Sequence, residues 1–432
     1  MTATQRRNAR ARLRERAESG DANACFTLAS QLRGQTPVPR REVARWLGRA
    51  AELGHVDAQA VLAHYYAIGF GVGRDERKAL TWWRRAVKRG STLAVYDLIR
   101  FLTERRGTPK DLREANRLRR RAAEHGDSFA MSHLGLAYLD GRGAPKSRRR
   151  AIHWFRKAAD LGGPLAAWHM RDFVSEGWTT ATPRQVLRWT RVSAEFGDAD
   201  AQLDLGIAYA RGRGVRRDYR AAMRWYLAAA RQGERYAFYN IALLYRSGEG
   251  VAQSWPKALA WYRRAAHAAH PEAYYWLLQY YEGRCGAPRN ARAARLWLRR
   301  AQRQARGAHE EVCAFLGEYY NSDEGHERDV PRALRWLRLG AARDDSECIR
   351  WLGWHYHDGV GVRRDYRRAA RLYRRATDLG DARAPYLLGL CYFEGDGVRR
   401  DRRLARKWMR LAMLRGEREA RRKLRQLERA KA

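Results

Sequence analysis

Two glycine-rich segments are the first candidates for chemistry in this sequence, because loops of this kind can cradle phosphate groups. They are residues 69–73 (Gly-Phe-Gly-Val-Gly) and residues 140–147 (Asp-Gly-Arg-Gly-Ala-Pro-Lys-Ser). A phosphate-binding loop follows a strand and ends in Gly-Lys-Ser or Gly-Lys-Thr, and neither segment meets both requirements. We therefore interpret these glycines as turn residues and expect no nucleotide there.

Neighbouring histidines and carboxylates could indicate a metal site or a hydrolase. His355, His357 and Asp358 lie close in the sequence, but side chains two residues apart on a helix point roughly 200° apart. Residues 309–313 (His-Glu-Glu-Val-Cys) lack the second histidine of a His-Glu-x-x-His zinc motif. We expect no metal, no cofactor and no catalytic centre, so that an enzyme is the weakest functional hypothesis.

Cysteine usage and hydropathy bear on the compartment. No Cys-x-x-Cys pair suggests a zinc site or a redox motif. The first sixteen residues carry several arginines and no apolar stretch, and no run of eighteen apolar residues follows. We therefore expect a cytoplasmic chain without a transmembrane segment. The five cysteines are Cys25, Cys285, Cys313, Cys348 and Cys391.

A period of about 36 residues organises the chain. Glycines mark the junctions between units, and about eleven units fit between the first and the last of them. The units around residues 163–196 and 270–343 are less regular. The junction glycines are Gly20, Gly54, Gly90, Gly126, Gly162, Gly197, Gly233, Gly380 and Gly416.

Each unit shows the pattern of two amphipathic helices. A first stripe of small and apolar residues follows the junction glycine at helical spacing, and a second stripe precedes the next junction. After Gly197 the first stripe is Ala201, Leu205, Gly206, Ala208 and Tyr209, and the second is Ala222, Trp225 and Ala229.

A glycine pair separates the two stripes, and an aspartate or proline follows it. Gly212 and Gly214 are one such pair, since glycine permits the positive φ of a helix C-terminus and a tight turn. The second helix is then predicted to begin at Asp75, Asp218, Asp365 and Asp401, which are good N-cap residues, and near Pro256 and Pro331.

These stripes, the Gly-x-Gly-Val turn and the capping aspartate resemble the Sel-one-like (Sel1-like) repeat, a relative of the tetratricopeptide repeat. The resemblance implies an all-α fold, a right-handed α-α superhelical solenoid of about eleven two-helix repeats. We predict a basic, flexible N-terminal segment over residues 1–16, the solenoid over 17–416 and a C-terminal capping helix over 417–432.

The tryptophans at repeat positions are predicted to be core residues that fill the space between helices. A nucleic-acid stacking platform is the alternative. Replacing Trp225 by alanine would then lower the free energy of unfolding by roughly 3–5 kcal/mol. The tryptophans in question are Trp83, Trp154, Trp225, Trp261, Trp297, Trp336 and Trp408.

Positive charge is concentrated on the second helices of the last two units. The chain has 87 Lys and Arg against 47 Asp and Glu, a formal net charge of +40. Such arginines can be solvated helix formers, or they can bind phosphate or another polyanion. We call them the basic face: Arg363, Arg364, Arg367, Arg368, Arg371, Arg374, Arg375, Arg399, Arg400, Arg402, Arg403, Arg406, Lys407 and Arg410.

First-helix residues outside the packing stripe are predicted to line a nearly neutral concave groove, because related solenoids place first helices on that side. Their aromatic and amide groups suit a peptide or a partner helix. We call them the groove candidates: His64, Tyr96, His133, Trp168, His169, Tyr239, Asn240, Tyr275, Gln279, Trp354 and Tyr386.

The resemblance favours a protein-interaction adaptor that binds a protein or peptide partner through this groove. A nucleic-acid-binding protein that uses the basic face is the alternative, and an acidic protein partner would show the same sensitivity to salt. An enzyme comes third, since the sequence gives no positive evidence for catalysis.

Overall fold

The computed structural model describes residues 3–307, 309–322 and 328–429. The chain divides into two units, residues 1–196 and residues 197–432, and each consists of helix pairs packed in sequence order. No strand occurs within the described ranges. The predicted all-α repeat fold is therefore confirmed.

Unit 1 begins with α1 and continues with five helix pairs. A π-helical turn, Phe101–Arg106, extends the sixth helix. The helices are α1 (Ala3–Glu18), α2 (Ala22–Arg33), α3 (Arg40–Glu52), α4 (Val56–Ile68), α5 (Glu76–Lys88), α6 (Thr92–Arg100), α7 (Pro109–Glu124), α8 (Ser128–Asp140), α9 (Arg148–Asp160), α10 (Pro164–Ser175) and α11 (Pro183–Glu195).

Unit 2 holds six helix pairs and a final single helix. They are α12 (Ala199–Arg211), α13 (Tyr219–Arg231), α14 (Arg235–Ser247), α15 (Trp255–His267), α16 (Pro271–Tyr281), α17 (Ala291–Arg306), α18 (Glu311–Asn321), α19 (Val330–Ala341), α20 (Ser346–Asp358), α21 (Tyr366–Asp378), α22 (Ala384–Glu394), α23 (Arg402–Leu414) and α24 (Arg418–Arg429).

We call the even-numbered helices α2 to α22 first helices and the odd-numbered helices α3 to α23 second helices. The eleven pairs agree with the predicted number of repeats. In the described ranges, no helix is both long and apolar enough to cross a bilayer.

Both ends of the chain are helical within the described residues. The N-terminal segment, expected to be flexible, is helical from Ala3 because its alanines, arginines and glutamates favour helix; residues 1–2 lie outside the described ranges. At the other end α24 buries Ala420 and Leu424, as a capping helix should. Residues 430–432 of the predicted cap are not among those described.

The second helices begin at the predicted capping residues. The Asp218 carboxylate accepts the backbone N–H of Ala221 at 2.9 Å, and Asp365 accepts that of Arg368 at 2.8 Å. Asp75 and Asp401 cap α5 and α23 in the same way, and Pro256 and Pro331 lie in the first turns of α15 and α19. These caps satisfy N–H groups that have no partner inside the helix.

The glycine pairs of several turns also join successive repeats. In the last repeat Gly395 ends α22 with a left-handed conformation. Gly397 has φ +69°, and a Cβ at this position would lie 2.1 Å from the carbonyl of Tyr366, at the start of the preceding second helix. Glycine is required there both for the backbone conformation and for this close approach.

Arginines near the ends of second helices bind carbonyl groups of the preceding repeat. Arg89 donates to the Gly54 carbonyl at 2.7 Å, and Arg415 donates to that of Thr377 at 2.9 Å. These contacts give an additional donor to carbonyls at or just beyond a helix C-terminus. Part of the arginine excess is therefore structural. Similar contacts are made by Arg49, Arg188, Arg343 and Arg375.

The tryptophan prediction is correct for some positions and wrong for others. Trp83, Trp297, Trp336 and Trp408 are buried. Trp154, Trp225 and Trp261 are half-buried, and the buried residues are their neighbours Phe155, Tyr226 and Tyr262.

At these positions the residue after the tryptophan is buried because a small residue on the facing first helix makes room for it. A Cβ on Gly206 would lie 2.5 Å from the Tyr226 ring, so this glycine makes room for the tyrosine. Trp261 lies beside the buried position, with the Arg264 guanidinium 4.5 Å from its ring centroid. The loss expected for Trp225→Ala is therefore smaller than that of a fully buried residue.

Candidate binding sites on the first helices

All groove candidates lie on first helices, and none of them is fully buried. Tyr96, Trp168 and Tyr275 are exposed, and the others are half-buried. His169 packs on Phe155 with a centroid distance of 4.4 Å, and Trp354 packs against Trp351 at 5.8 Å.

In unit 1 two groove candidates share a pocket of about 270 Å³. Tyr96 and His133 line it together with Phe129, whose ring centroid is 6.3 Å from that of Tyr96 and 4.4 Å from that of His133. Burial lowers the pKa of His133, and the nearby Arg119 acts in the same direction. This pocket presents aromatic rings and a histidine that favours its neutral form.

In unit 2 a larger pocket, of about 450 Å³, brings together three groove candidates. Residues from four successive first helices, α14, α16, α18 and α20, contribute to its wall. We call it the acidic pocket, because five glutamates line it. The groove candidates are Tyr239, Tyr275 and Gln279, and the glutamates are Glu272, Glu282, Glu311, Glu318 and Glu347.

Several of these glutamates are held by neighbouring side chains. Glu282 accepts the Tyr319 hydroxyl at 2.8 Å and forms an ion pair with Arg284 at 3.3 Å. Glu347 is paired with Arg350 at 2.7 Å. Glu311 forms an ion pair with Arg235, which lies at the start of α14. These contacts fix carboxylates at the pocket wall.

Tyrosines link the carboxylates to the aromatic part of the wall. Burial raises the pKa of the Tyr239 hydroxyl, and its hydrogen bond to Glu272 raises it further. Tyr319 behaves in the same way beside Glu282. Both hydroxyls therefore stay protonated and act as donors to carboxylates.

Aromatic rings form the remaining surface of the acidic pocket. The Trp276 indole N–H donates to the Tyr239 hydroxyl at 3.4 Å. The Arg246 guanidinium lies 3.6 Å from the Trp276 ring centroid. A ring face in this pocket can therefore carry a cation.

The sequence predicts a nearly neutral groove, and at this pocket the five glutamates lie beside four arginines, Arg235, Arg246, Arg284 and Arg350. These glutamates are hard to recognise as a site from the sequence, because acidic residues are few in a strongly basic chain. A signal was nevertheless available: Glu318 occupies the same repeat position as Gln279 and Trp354, which are groove candidates. Comparing side chains at one repeat position along α16, α18 and α20 finds it.

The histidines and cysteines of the motifs considered above have contacts within the fold. His355 is buried and its Nδ1 lies 2.8 Å from the Val360 carbonyl oxygen, whereas His357 lies between Asp358 and Asp396. The two rings point to different surroundings, as the helical spacing predicts. Cys313 and Cys348 are buried thiols, and burial raises the pKa of Cys313 to about 11.

The basic face is a set of solvent-accessible side chains on α21, α23 and the turns before them. Some of its arginines have structural contacts: Arg375 donates to the Ala341 carbonyl at 3.0 Å, and Arg374 to the Tyr392 hydroxyl at 2.8 Å. Within the described ranges, six others make no side-chain hydrogen bond or ion pair. These are Arg363, Arg367, Arg371, Arg399, Arg402 and Arg403.

The remaining members of the basic face also have contacts within the chain. The guanidinium of Arg368 lies 4.2 Å from the Tyr356 ring centroid, and Arg364 and Arg400 donate to the carbonyls of Asp358 and Phe393. Arg406, Lys407 and Arg410 lie on α23, where Lys407 approaches the ring of Trp408 at 5.3 Å.

Ten segments of the chain match the Sel1 repeat, and together they cover most of its length. The chain belongs to the Sel1 repeat family. The Sel1 repeats follow the helix pairs, and the unmatched residues 164–198 contain α10 and α11, where the sequence pattern is also irregular. The matched segments are 22–55, 56–91, 101–127, 128–163, 199–234, 236–270, 271–304, 311–345, 346–381 and 382–416.

Solved structures of other Sel1 repeat proteins are similar to this chain. A protective antigen present in uropathogenic Escherichia coli strains, described as displaying an SLR fold, is 29% identical, with a TM-score of 0.59 over 98% of this chain and 91% of the other. A Sel1 repeat protein from Oxalobacter formigenes is 25% identical over 88% and 89% of the two chains, with a TM-score of 0.37. No curated protein matches the sequence.

Proposed function

We propose that this Sel1 repeat protein is a non-enzymatic scaffold that binds a polypeptide partner through its first helices. One observation carries the proposal: residues of four successive first helices line the acidic pocket. A surface built from consecutive repeats suits an elongated ligand, because each repeat adds contacts along the length of that ligand. Repeat solenoids of this kind typically act in protein interaction.

The aromatic and amide groups in the pocket support a polypeptide ligand. Tyrosine and tryptophan supply apolar contact area together with a polar group, which is why they are frequent at protein interfaces. Gln279 can both donate to and accept from a peptide backbone. The five cysteines are free thiols, and four of them are buried, which supports a reducing compartment such as the cytoplasm.

An affinity capture experiment tests the scaffold proposal. The double variant Tyr275→Ala/Gln279→Ala should lose the proteins that the wild-type chain captures from a native lysate, with and without nuclease. The reason is that these two side chains line the pocket but are not in the buried core. Quantitative mass spectrometry of the captured proteins measures the effect.

The matched control is Arg292→Ala/Leu296→Ala, on the exposed side of the second helix α17. It should capture the same proteins as the wild type. Equal capture by all three proteins would contradict binding through the first helices.

A second candidate function is polyanion binding by the basic face, which is favoured by six exposed arginines that have no side-chain hydrogen bond or ion pair among the described residues. Such binding weakens with salt because bound counterions are released. Replacing Arg363, Arg367 and Arg371 by glutamine should reduce the salt dependence of binding to duplex and single-stranded DNA. The expected drop is about 2–3 in the slope of log K against log salt, measured by fluorescence anisotropy.

The control carries the same change in net charge at exposed arginines outside the basic face: Arg41→Gln, Arg77→Gln and Arg213→Gln. If both triple variants change the slope equally, binding reflects total charge and not the basic face. Negligible binding of the wild type at physiological ionic strength would remove this candidate altogether.

A further inference from the structure

We infer that the acidic pocket binds an extended peptide segment that carries arginine side chains. The inference rests on the proposed scaffold function and names the chemical class of the partner. It is carried by the composition of the pocket wall, which combines glutamates and aromatic rings within a strongly basic chain.

The first step of the argument is charge complementarity. The chain has a formal net charge of +40, yet among the described residues that line the acidic pocket one, Arg284, is cationic and five are glutamates. Arg235 and Arg350 pair with two of these glutamates from outside, and Arg246 stacks on the wall. Even with these three included, carboxylates outnumber arginines.

The second step concerns the two most accessible glutamates on the middle helices. Glu272 lies in the first turn of α16 and Glu318 lies on α18, and both are exposed to solvent. Their carboxylates can therefore reach a ligand without any rearrangement of the core. A cation close to these two carboxylates gains electrostatic attraction, which an arginine-rich surface such as the basic face does not offer.

The third step explains why arginine is favoured over lysine. A guanidinium group binds a carboxylate through two parallel hydrogen bonds and stacks on an aromatic face, which an ammonium group does less well. The wall already shows this stacking between Arg246 and Trp276 at 3.6 Å. Tyr275 is exposed beside it and offers a further ring to an incoming side chain.

The fourth step is length. Arg235 at the start of α14 reaches Glu311 on α18, so the wall curves and its parts lie close together. An extended peptide covers at most about 3.3–3.6 Å per residue, and a short segment therefore suffices to contact this wall. The side chains of such a segment alternate in direction, so that every second one can point at the pocket wall.

The test uses fluorescein-labelled octa-arginine, octa-lysine and octa-glutamate with the full chain, read by fluorescence anisotropy at physiological ionic strength. We expect the wild type to bind octa-arginine more tightly than octa-lysine. The variant Glu272→Gln/Glu318→Gln should bind octa-arginine about tenfold more weakly, because two carboxylates near the ligand have lost their charge. Tyr275→Ala should reduce the preference for arginine over lysine.

The control is Glu52→Gln/Glu124→Gln, which makes the same change in net charge at exposed positions of second helices in unit 1. It should bind octa-arginine as the wild type does. Octa-glutamate, which is attracted to arginines elsewhere, should bind the wild type and the pocket variant equally. Circular dichroism should show the same helix content in all variants.

Two results would overturn the inference: no octa-arginine binding by the wild type, or equal weakening in the pocket variant and its control. These results are distinct from failure of the scaffold proposal. If octa-arginine does not bind but Tyr275→Ala/Gln279→Ala still loses captured proteins, the scaffold proposal stands and the arginine inference is wrong. If captured proteins are also unchanged, both are wrong.

Discussion

Replacing Phe155 by alanine should lower the free energy of unfolding by about 3–5 kcal/mol, the usual range for truncating a buried phenylalanine. Phe155 is fully buried on α9, and its ring lies 3.0 Å from where a Cβ on Gly135 would be. It also contacts Phe173, with 5.7 Å between ring centroids. Gly135 has no side chain that could fill the cavity left by the phenylalanine ring. Urea denaturation followed by circular dichroism measures the loss.

Trp154 provides the matched control because it is the adjacent residue and an even larger aromatic side chain. It is half-buried, and the Lys157 ammonium lies 5.3 Å from its ring centroid at the surface. Trp154→Ala should therefore cost clearly less than Phe155→Ala. A larger loss for the tryptophan would show that the packing register derived for Phe155, Tyr226 and Tyr262 is incorrect.

The second large effect is expected for Arg350→Met on α20. Arg350 is 9% exposed and forms ion pairs with Asp381 at 3.0 Å and with Glu347 at 2.7 Å. The Asp381 carboxylate also accepts the backbone N–H groups of Arg383 and Ala384, so it stays in place when the arginine is removed. A buried carboxylate without its cation costs about 3–5 kcal/mol of unfolding free energy.

Arg383→Met is the control for this prediction. Arg383 lies next to the same turn, but its side chain is 53% exposed and its carboxylate partners, Glu417 and Glu419, are 4.0 and 3.9 Å away. Exposed ion pairs of this kind contribute about 0–1 kcal/mol. Thermal unfolding of the two variants at one ionic strength compares their losses of stability. Equal losses would contradict a buried ion pair at Arg350.

The repeat pattern was predictable because its signals are local. Gly395 and Gly397 mark a turn, Asp401 marks the helix start that follows, and neither depends on distant contacts. The choice between Trp225 and Tyr226 was harder. Adjacent helix positions are about 100° apart, and the stripe alone does not show which of them faces Gly206 on the partner helix.

The acidic pocket could not be predicted as a site from one repeat. Glu272, Glu318 and Glu347 come from different repeats, and each looks like an ordinary solvated residue in its own helix. They line one pocket only because α16, α18 and α20 lie next to one another. The eleven groove candidates show the same limit: all lie on first helices, but only three of them line the acidic pocket.

The hydrogen bonds from arginine to carbonyl groups of the preceding repeat have a consequence for how such arrays grow. Several repeats bring an arginine donor for the repeat before them and offer carbonyls to the one after, as Arg89 and Arg415 donate to Gly54 and Thr377. A duplicated copy of such a repeat would therefore carry both the arginine donor and the carbonyl acceptors that connect it to its neighbours. Because a guanidinium keeps its proton at every physiological pH, these connections are insensitive to acidification of the surroundings.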